Sequence, residues 1–260
     1  MSSYVNTNIQ DMIGYITLSR ADSLNALNLP TAQELGQTLL RWSADDAIRS
    51  IIITGSGKAF SAGGDIKGAA VHPNSPAAAF HELAAFVHLC IVELRRMRKP
   101  VIAAINGIAA GGGFALALAC DFRIMAQSAR LKQGFTSNAL CIDGGTSHTL
   151  PRLVGFARAL EIAAFDEPIS SEQALNWGLV TKVVDDIDLL NAATEMAQTL
   201  THKSLHTFGW AKGLLTDTFD TPLERQLEKE RQGLVSCVSH PDGQEGIQAF
   251  LEKRKPHFRP

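Results

Sequence analysis

The chain has 260 residues, 45% of them hydrophobic and 19% charged, with a formal net charge of −2. This is an ordinary globular composition, long enough to enclose a large core. With no basic block, duplex nucleic acid is excluded as the main partner.

In chain order, Met1–Asn6 lacks the basic-then-apolar pattern of a secretory leader. Gly14–Leu18 reads as a strand ending in the polar turn Ser19–Ser23, and a helix opens at Thr31 and runs to Trp42. Arg49–Thr54 is the next strand. Residues 68–79, with Gly68, Pro73, Asn74, Ser75 and Pro76, read as a mobile loop, and a helix from Ala77 to Met97 stops before Pro100. Val101–Ile105 reads as a buried strand, Gly112–Cys120 as a buried helix and Phe122–Ala126 as a strand. The apolar passage Val101–Cys120 is thus a strand, turn and helix rather than a membrane span. From Arg158 onward the runs are helical: 159–164, 171–177, 189–201, 205–216, 222–238 and 244–253, with strand-like 179–184 between them. The expectation is a single α/β core of strand–helix units followed by a helical C-terminal region.

Cys90, Cys120, Cys141 and Cys237 show no CxxC or Cys/His spacing. They are expected to be buried free thiols, which fits a reducing cytoplasm. His202 and His206 stand at i,i+4 with no carboxylate or cysteine to complete a site, so no metal is expected.

Two glycine turns carry the first chemical signal. Ala62-Gly63-Gly64-Asp65 follows the apolar run 51–54, and Gly111-Gly112-Gly113 follows 101–107. Each reads as strand, tight turn, helix. Glycine permits a sharp bend and close ligand approach, and a helix start leaves amides unpaired. Two such amides aimed at one point would hold a developing oxyanion. This points to an enzyme acting on a carbonyl or thioester. Gly55-Ser56-Gly57-Lys58 lacks phosphate-loop spacing and reads as a turn.

The segments Leu24–Asn28, Ile53–Lys67, Lys99–Gly107 with the triple glycine, Ala119–Asp121, Leu150–Gly155, 172–180 and Phe250–Arg254 together resemble the enoyl-CoA hydratase/isomerase (crotonase) family. The resemblance covers essentially the whole chain. It implies a spiral of ββα turns over residues 1–200 that binds a CoA thioester, and a helical trimerisation region over 201–260. It implies an acyl-CoA substrate, no resident cofactor beyond the CoA carried by that substrate, no membrane partner, and a homotrimer or dimer of trimers. By motif position, the amides of Gly64 and Gly112 would form the oxyanion hole. The backbones of Leu24, Ala26, Ala62, Asp65 and Ile66 would line the CoA channel, and Phe250 and Lys253 would meet the nucleotide. Asp65 is also expected to cap the helix it opens, and Asp121 to anchor backbone amides.

Departures from the family pattern narrow the activity. The two glutamates that handle water in the family's hydratases fall at Ala115 and Phe135, and neither residue can exchange a proton. Asp143 remains, in a motif similar to that of the family's ring-epoxide and enoyl-CoA isomerases, where an aspartate shuttles a proton. Among Phe135, Leu140 and Ile142 its carboxylate is expected to be partly desolvated; the competing role is an N-cap for the following helix. Phe86 is expected to help shape the acyl pocket. His88 is either an ordinary residue of an amphipathic helix or, with Phe135 and Asp143, part of a constellation similar to the family's chlorobenzoyl-CoA dehalogenase. His148 is read as structural or near the pocket. An isomerase using Asp143 is the leading expectation. The alternatives are a hydratase without the glutamate pair, an aryl-CoA dehalogenase-like enzyme, and a silent CoA-binding protein.

Overall fold

The computed structural model describes residues 3–258. Its strands are β1 (Val5–Gln10), β2 (Ile13–Leu18), β3 (Ser50–Gly55), β4 (Ala59–Ser61), β5 (Val101–Ile105), β6 (Ile108–Ala110), β7 (Phe122–Ala126), β8 (Arg130–Lys132), β9 (Ile169–Ser170) and β10 (Lys182–Val184). The helices are α1 (Leu29–Ser43), α2 (Ile66–Ala70), α3 (Pro76–Arg96), α4 (Gly112–Ala119), α5 (Thr146–Val154), α6 (Phe156–Phe165), α7 (Ser171–Asn176), α8 (Leu189–Thr201), α9 (Leu205–Asp217), α10 (Leu223–Ser239) and α11 (Pro241–Leu251).

Two sheets run side by side. One has the order β1-β2-β3-β5-β7-β10, antiparallel only at β1–β2; the other is β4-β6-β8-β9. Each turn of chain lays one strand in the first sheet, a short one in the second, then a helix. β3-β4, β5-β6 and β7-β8 are successive turns of this spiral, the α/β arrangement that the resemblance implies, and a helical C-terminal region follows. Ile51–Ile53 and every residue of β5 are fully buried, as a parallel strand covered on both faces must be. α8 covers β2, β3, β5 and β7, and α1 packs on α3.

The local sequence explains the element boundaries. The Asn28 side chain accepts from the Thr31 amide and starts α1 with Pro30 in its first turn. Ser75 accepts from Ala78 and Pro76 opens α3, so the segment read as a loop over 68–79 is helical at both ends. Proline and serine there are start signals rather than loop residues. Although α3 is long and apolar enough to cross a membrane, Leu83, Val87, Cys90 and Leu94 turn that apolar character into the core beside α1.

Candidate active site

The glycine turns follow β4 and β6, not the longer strands β3 and β5 that precede these. This corrects their expected position and explains their meeting. β4 and β6 pair in parallel, with Ala59 opposite Ile108 and Ser61 opposite Ala109, so the chain leaves both strands at neighbouring points. A Cβ on Gly63, whose φ is +93°, would fall 2.7 Å from the Ala110 carbonyl oxygen and 2.9 Å from the Gly112 nitrogen. Only glycine allows that approach.

Gly64 forms an isolated parallel bridge with Leu27: the Leu27 amide donates to Gly63 at 2.7 Å and the Asp65 amide to Leu27 at 2.9 Å. The Gly64 amide points away from this bridge. Gly112 is the first residue of α4, so its amide has no partner within the helix. Among the described residues neither amide donates a hydrogen bond. A Cβ on Gly112 would lie 3.6 Å from the Gly64 nitrogen, which places both donors beside one small volume. The positive end of buried α4 adds to their field.

That volume belongs to a cavity of about 940 Å³. Leu27, Ala62, Gly64, Ile66 and Gly112 form one wall, and Phe80, Leu83, Ala84 and Val87 of α3 another. Phe135, Leu140, Ile142 and Asp143 close the third side. That this helix borders the pocket was expected through Phe86; the residues that line it, at the spacing 80, 83, 84, 87, form a helical face that the sequence displays. Phe86, expected in the pocket, packs into the core instead because it lies on another side of the same helix.

One turn beyond that wall, His88 Nε2 lies 2.7 Å from Asp143 Oδ1. Asp143 Oδ2 has no partner among the described residues. Asp143 does not cap α5: the N-cap is Gly145, with no side-chain bond. The expected desolvation is not found, since the Asp143 side chain is 42% exposed and that of His88 50%.

Ala115 is buried and outside the cavity. Gly144, with φ +64°, backs directly onto it. Phe135, at the motif position of the second glutamate, lines the cavity, its amide donating to the Gln133 carboxamide oxygen at 2.8 Å.

The other predicted site residues lie as follows. Asp65 caps α2 through the Gly68 amide at 2.9 Å and pairs with Arg20 at 2.9 Å. Partial burial pushes its carboxyl up, but the Gly68 amide and the Arg20 guanidinium together hold it below its ordinary value. Leu24 and Ala26 do not line the cavity: the Leu24 carbonyl accepts from the Ala62 amide and the Ala26 carbonyl from Arg20, and the Leu24 side chain is exposed. Phe250 and Lys253, on and just after α11, do not line the cavity of this chain, and Phe250 is 82% exposed. Asp121 anchors the Val101 amide at 2.9 Å and also pairs with buried Lys212 at 2.9 Å, a partner the sequence did not reveal.

His148 is exposed and stands at a different cavity. His206 bonds Ser236 at 3.0 Å and stacks on His240 with ring centroids 4.3 Å apart. Cys90 and Cys120 are buried, and burial pushes each thiol up to about 12. Cys237 is half-buried. Cys141 is exposed and lines the main cavity, contrary to expectation.

Residues 8–260 match the model of the enoyl-CoA hydratase/isomerase family. The chain is 34% identical to 1,2-epoxyphenylacetyl-CoA isomerase of Escherichia coli, over 99% of each chain. It is 31% identical to 4-chlorobenzoyl coenzyme A dehalogenase-2 of an Arthrobacter species, over 96% of this chain and 91% of the other. Its structure is similar to the crystal structure of an enoyl-CoA hydratase from Bacillus anthracis, with a TM-score of 0.92, 33% identity and 98% of both chains covered. Paired glycine turns, an apolar cavity and whole-length similarity agree: the chain belongs to the enoyl-CoA hydratase/isomerase family.

Proposed function

We propose that this acyl-CoA enzyme is an isomerase that moves a double bond by a one-carboxylate proton shuttle. The contact between His88 and Asp143, at the edge of the cavity whose opposite wall holds the Gly64 and Gly112 amides, carries the reading. The thioester oxygen would accept from both amides. Asp143 Oδ2 removes a proton from C2 of a 3-enoyl-CoA, and the electron pair flows into the thioester as an enolate. The same proton returns at C4, leaving the 2-enoyl product with no net gain or loss of atoms. The amides act where charge develops, and so favour rate over ground-state binding. His88 fixes the carboxylate and leaves a single oxygen facing the acyl chain. Ala115 and Phe135 supply no second acid or base for adding water.

The test is conversion of 3-enoyl-CoA to 2-enoyl-CoA in deuterium oxide, with the C2 hydrogen of the substrate recovered at C4 of the product. Crotonyl-CoA hydration at a rate matching or exceeding isomerisation would defeat the proposal, and normal acyl-CoA binding without turnover of any thioester would favour a silent binding protein. One observation supports a second reading: a histidine bonded to the one aspartate that lines the cavity among the described residues also suits aryl substitution. In that case Asp143 Oδ2 attacks the ring carbon, halide leaves, and His88 takes the proton of the water that hydrolyses the aryl ester. Halide release from 4-chlorobenzoyl-CoA would mark it.

The reading includes a homotrimer or a dimer of trimers. Leu234 and Val235 on α10 and Phe250 and Leu251 on α11 are exposed in the single chain, an apolar surface of the kind that subunit contact covers. Phe250 and Lys253 would then serve a CoA site together with a neighbouring copy. Four free cysteines fit a cytoplasmic location.

A further inference from the structure

A second cavity, of about 210 Å³, lies at the opposite end of α4 from Gly112 and shares no lining residue with the acyl-CoA cavity. Three arginines reach it: Arg95 near the end of α3, Arg123 in β7 and Arg152 in α5. Arg123 is buried, its Nε donating to the Leu179 carbonyl at 2.7 Å and its Nη1 to the Cys120 carbonyl at 2.5 Å. Its Nη2 has no acceptor among the described residues and is left to the cavity. Arg152 donates through Nη1 to the His148 carbonyl at 2.8 Å, while its Nε is sealed from solvent without any acceptor. Arg95 Nη2 donates to Thr216 Oγ1 at 2.9 Å, and its remaining nitrogens have no acceptor among the described residues.

The charges do not balance. Asp121 is the carboxylate in the wall, and it is already committed to Lys212 and to the Val101 amide. Asp220 approaches Arg152 only to 3.6 Å, from outside, with 71% of its side chain exposed. Burial pushes the Arg123 guanidinium down, and the nearby Asp121 carboxylate opposes that shift without cancelling it. Guanidinium forks match the paired oxygens of an oxyanion, and the Thr149 and Thr216 hydroxyls add donors at the same wall. Leu118 and Leu153 limit the space to a small ligand.

We infer that this cavity binds a small tetrahedral oxyanion of the phosphate or sulfate class. Its walls belong to α3, α4 and α5, which also carry His88, Gly112 and the loop of Asp143, so the anion would tie the far ends of the active-site elements together. The inference does not depend on which thioester reaction the enzyme performs.

The test is titration calorimetry of the full-length protein with inorganic phosphate, chloride holding the ionic strength constant, alongside thermal unfolding. Saturable binding and a rise in Tm are expected, with sulfate competing. Arg95→Gln and Arg152→Gln should each weaken phosphate at least tenfold while crotonyl-CoA binding stays unchanged. These two are chosen because Arg123 also holds backbone carbonyls. Saturation with crotonyl-CoA should leave the phosphate isotherm unaltered, which separates free phosphate from the phosphates of CoA. The inference fails if chloride alone reproduces the Tm rise, if both variants bind phosphate as the parent does, or if acetate displaces phosphate at equal concentration. It fails also if phosphate does not bind; arginine variants that then dissociate the oligomer would show that a carboxylate of a second copy fills the cavity.

Discussion

Gly144 lies against Ala115: a Cβ placed on Gly144 would fall 2.6 Å from the Ala115 methyl carbon. The loop that presents Asp143 to the acyl cavity therefore occupies the space into which a longer side chain at position 115 would extend. The carboxylate the chain retains and the one it lacks are thus alternatives in space.

Restoring the glutamate should accordingly fail to restore hydration. Ala115→Glu would force a carboxylate into a fully packed position, at a cost of about 3 kcal/mol or more from overpacking and desolvation. Denaturant unfolding should show the loss, and crotonyl-CoA hydration should not rise. A stable A115E variant that hydrates crotonyl-CoA efficiently would show that the loop yields.

Asp143→Asn should retain acyl-CoA binding and lose about 100- to 10,000-fold in turnover, the usual range for a general acid–base group. His88→Gln keeps a donor near Oδ1 and should lose roughly tenfold, the value of a single orienting hydrogen bond. Binding by fluorescence and single-turnover kinetics separate the two effects. Equal turnover in D143N and the parent would remove Asp143 from the chemistry.

Gly112→Ala tests the oxyanion site. The new methyl would stand 3.6 Å from the Gly64 nitrogen and 3.2 Å from Leu27 Cδ1, a tight fit that the leucine can relieve by a small rotation. Fold and Tm should change little, but the carbonyl would be held off its donors. A loss of about 100- to 1,000-fold in kcat is expected. Unchanged kcat in a folded G112A protein would place the oxyanion elsewhere.

Acid should loosen the C-terminal segment before it unfolds the core. Glu245 accepts from both Nη atoms of Arg254 and from the His257 amide, and these bonds, Arg254's first, hold its carboxyl down at about 2 against an ordinary 4.5. The folded value is the lower one, so the anchoring is complete above pH 4.5 and is lost as the pH falls toward 2. Amide exchange at residues 252–258 should accelerate across that window and not above it. Glu245→Gln should show the fast exchange already at neutral pH.

Much of the fold was legible locally. Val101–Ile105, Phe122–Ala126 and Leu189–Thr201 have the bounds their apolar patterns indicate, because continuous burial of a strand or one helical stripe leaves a direct mark on composition. The short strands β4, β6, β8 and β9 left none, since two or three residues carry no measurable period.

In the site, the available chemistry can be read along the chain: two glycine turns, one aspartate, and no titrating residue at 115 or 135. Tertiary structure decided what meets. Pairing of β4 with β6 sets the Gly64 and Gly112 amides side by side, and the packing of α3 carries His88 to Asp143 across 55 residues of chain. It also gathered Arg95, Arg123 and Arg152, which no spacing links, around one small cavity. Residue identity is written along the chain, whereas distance between side chains is fixed only when strand register and helix packing close the spiral.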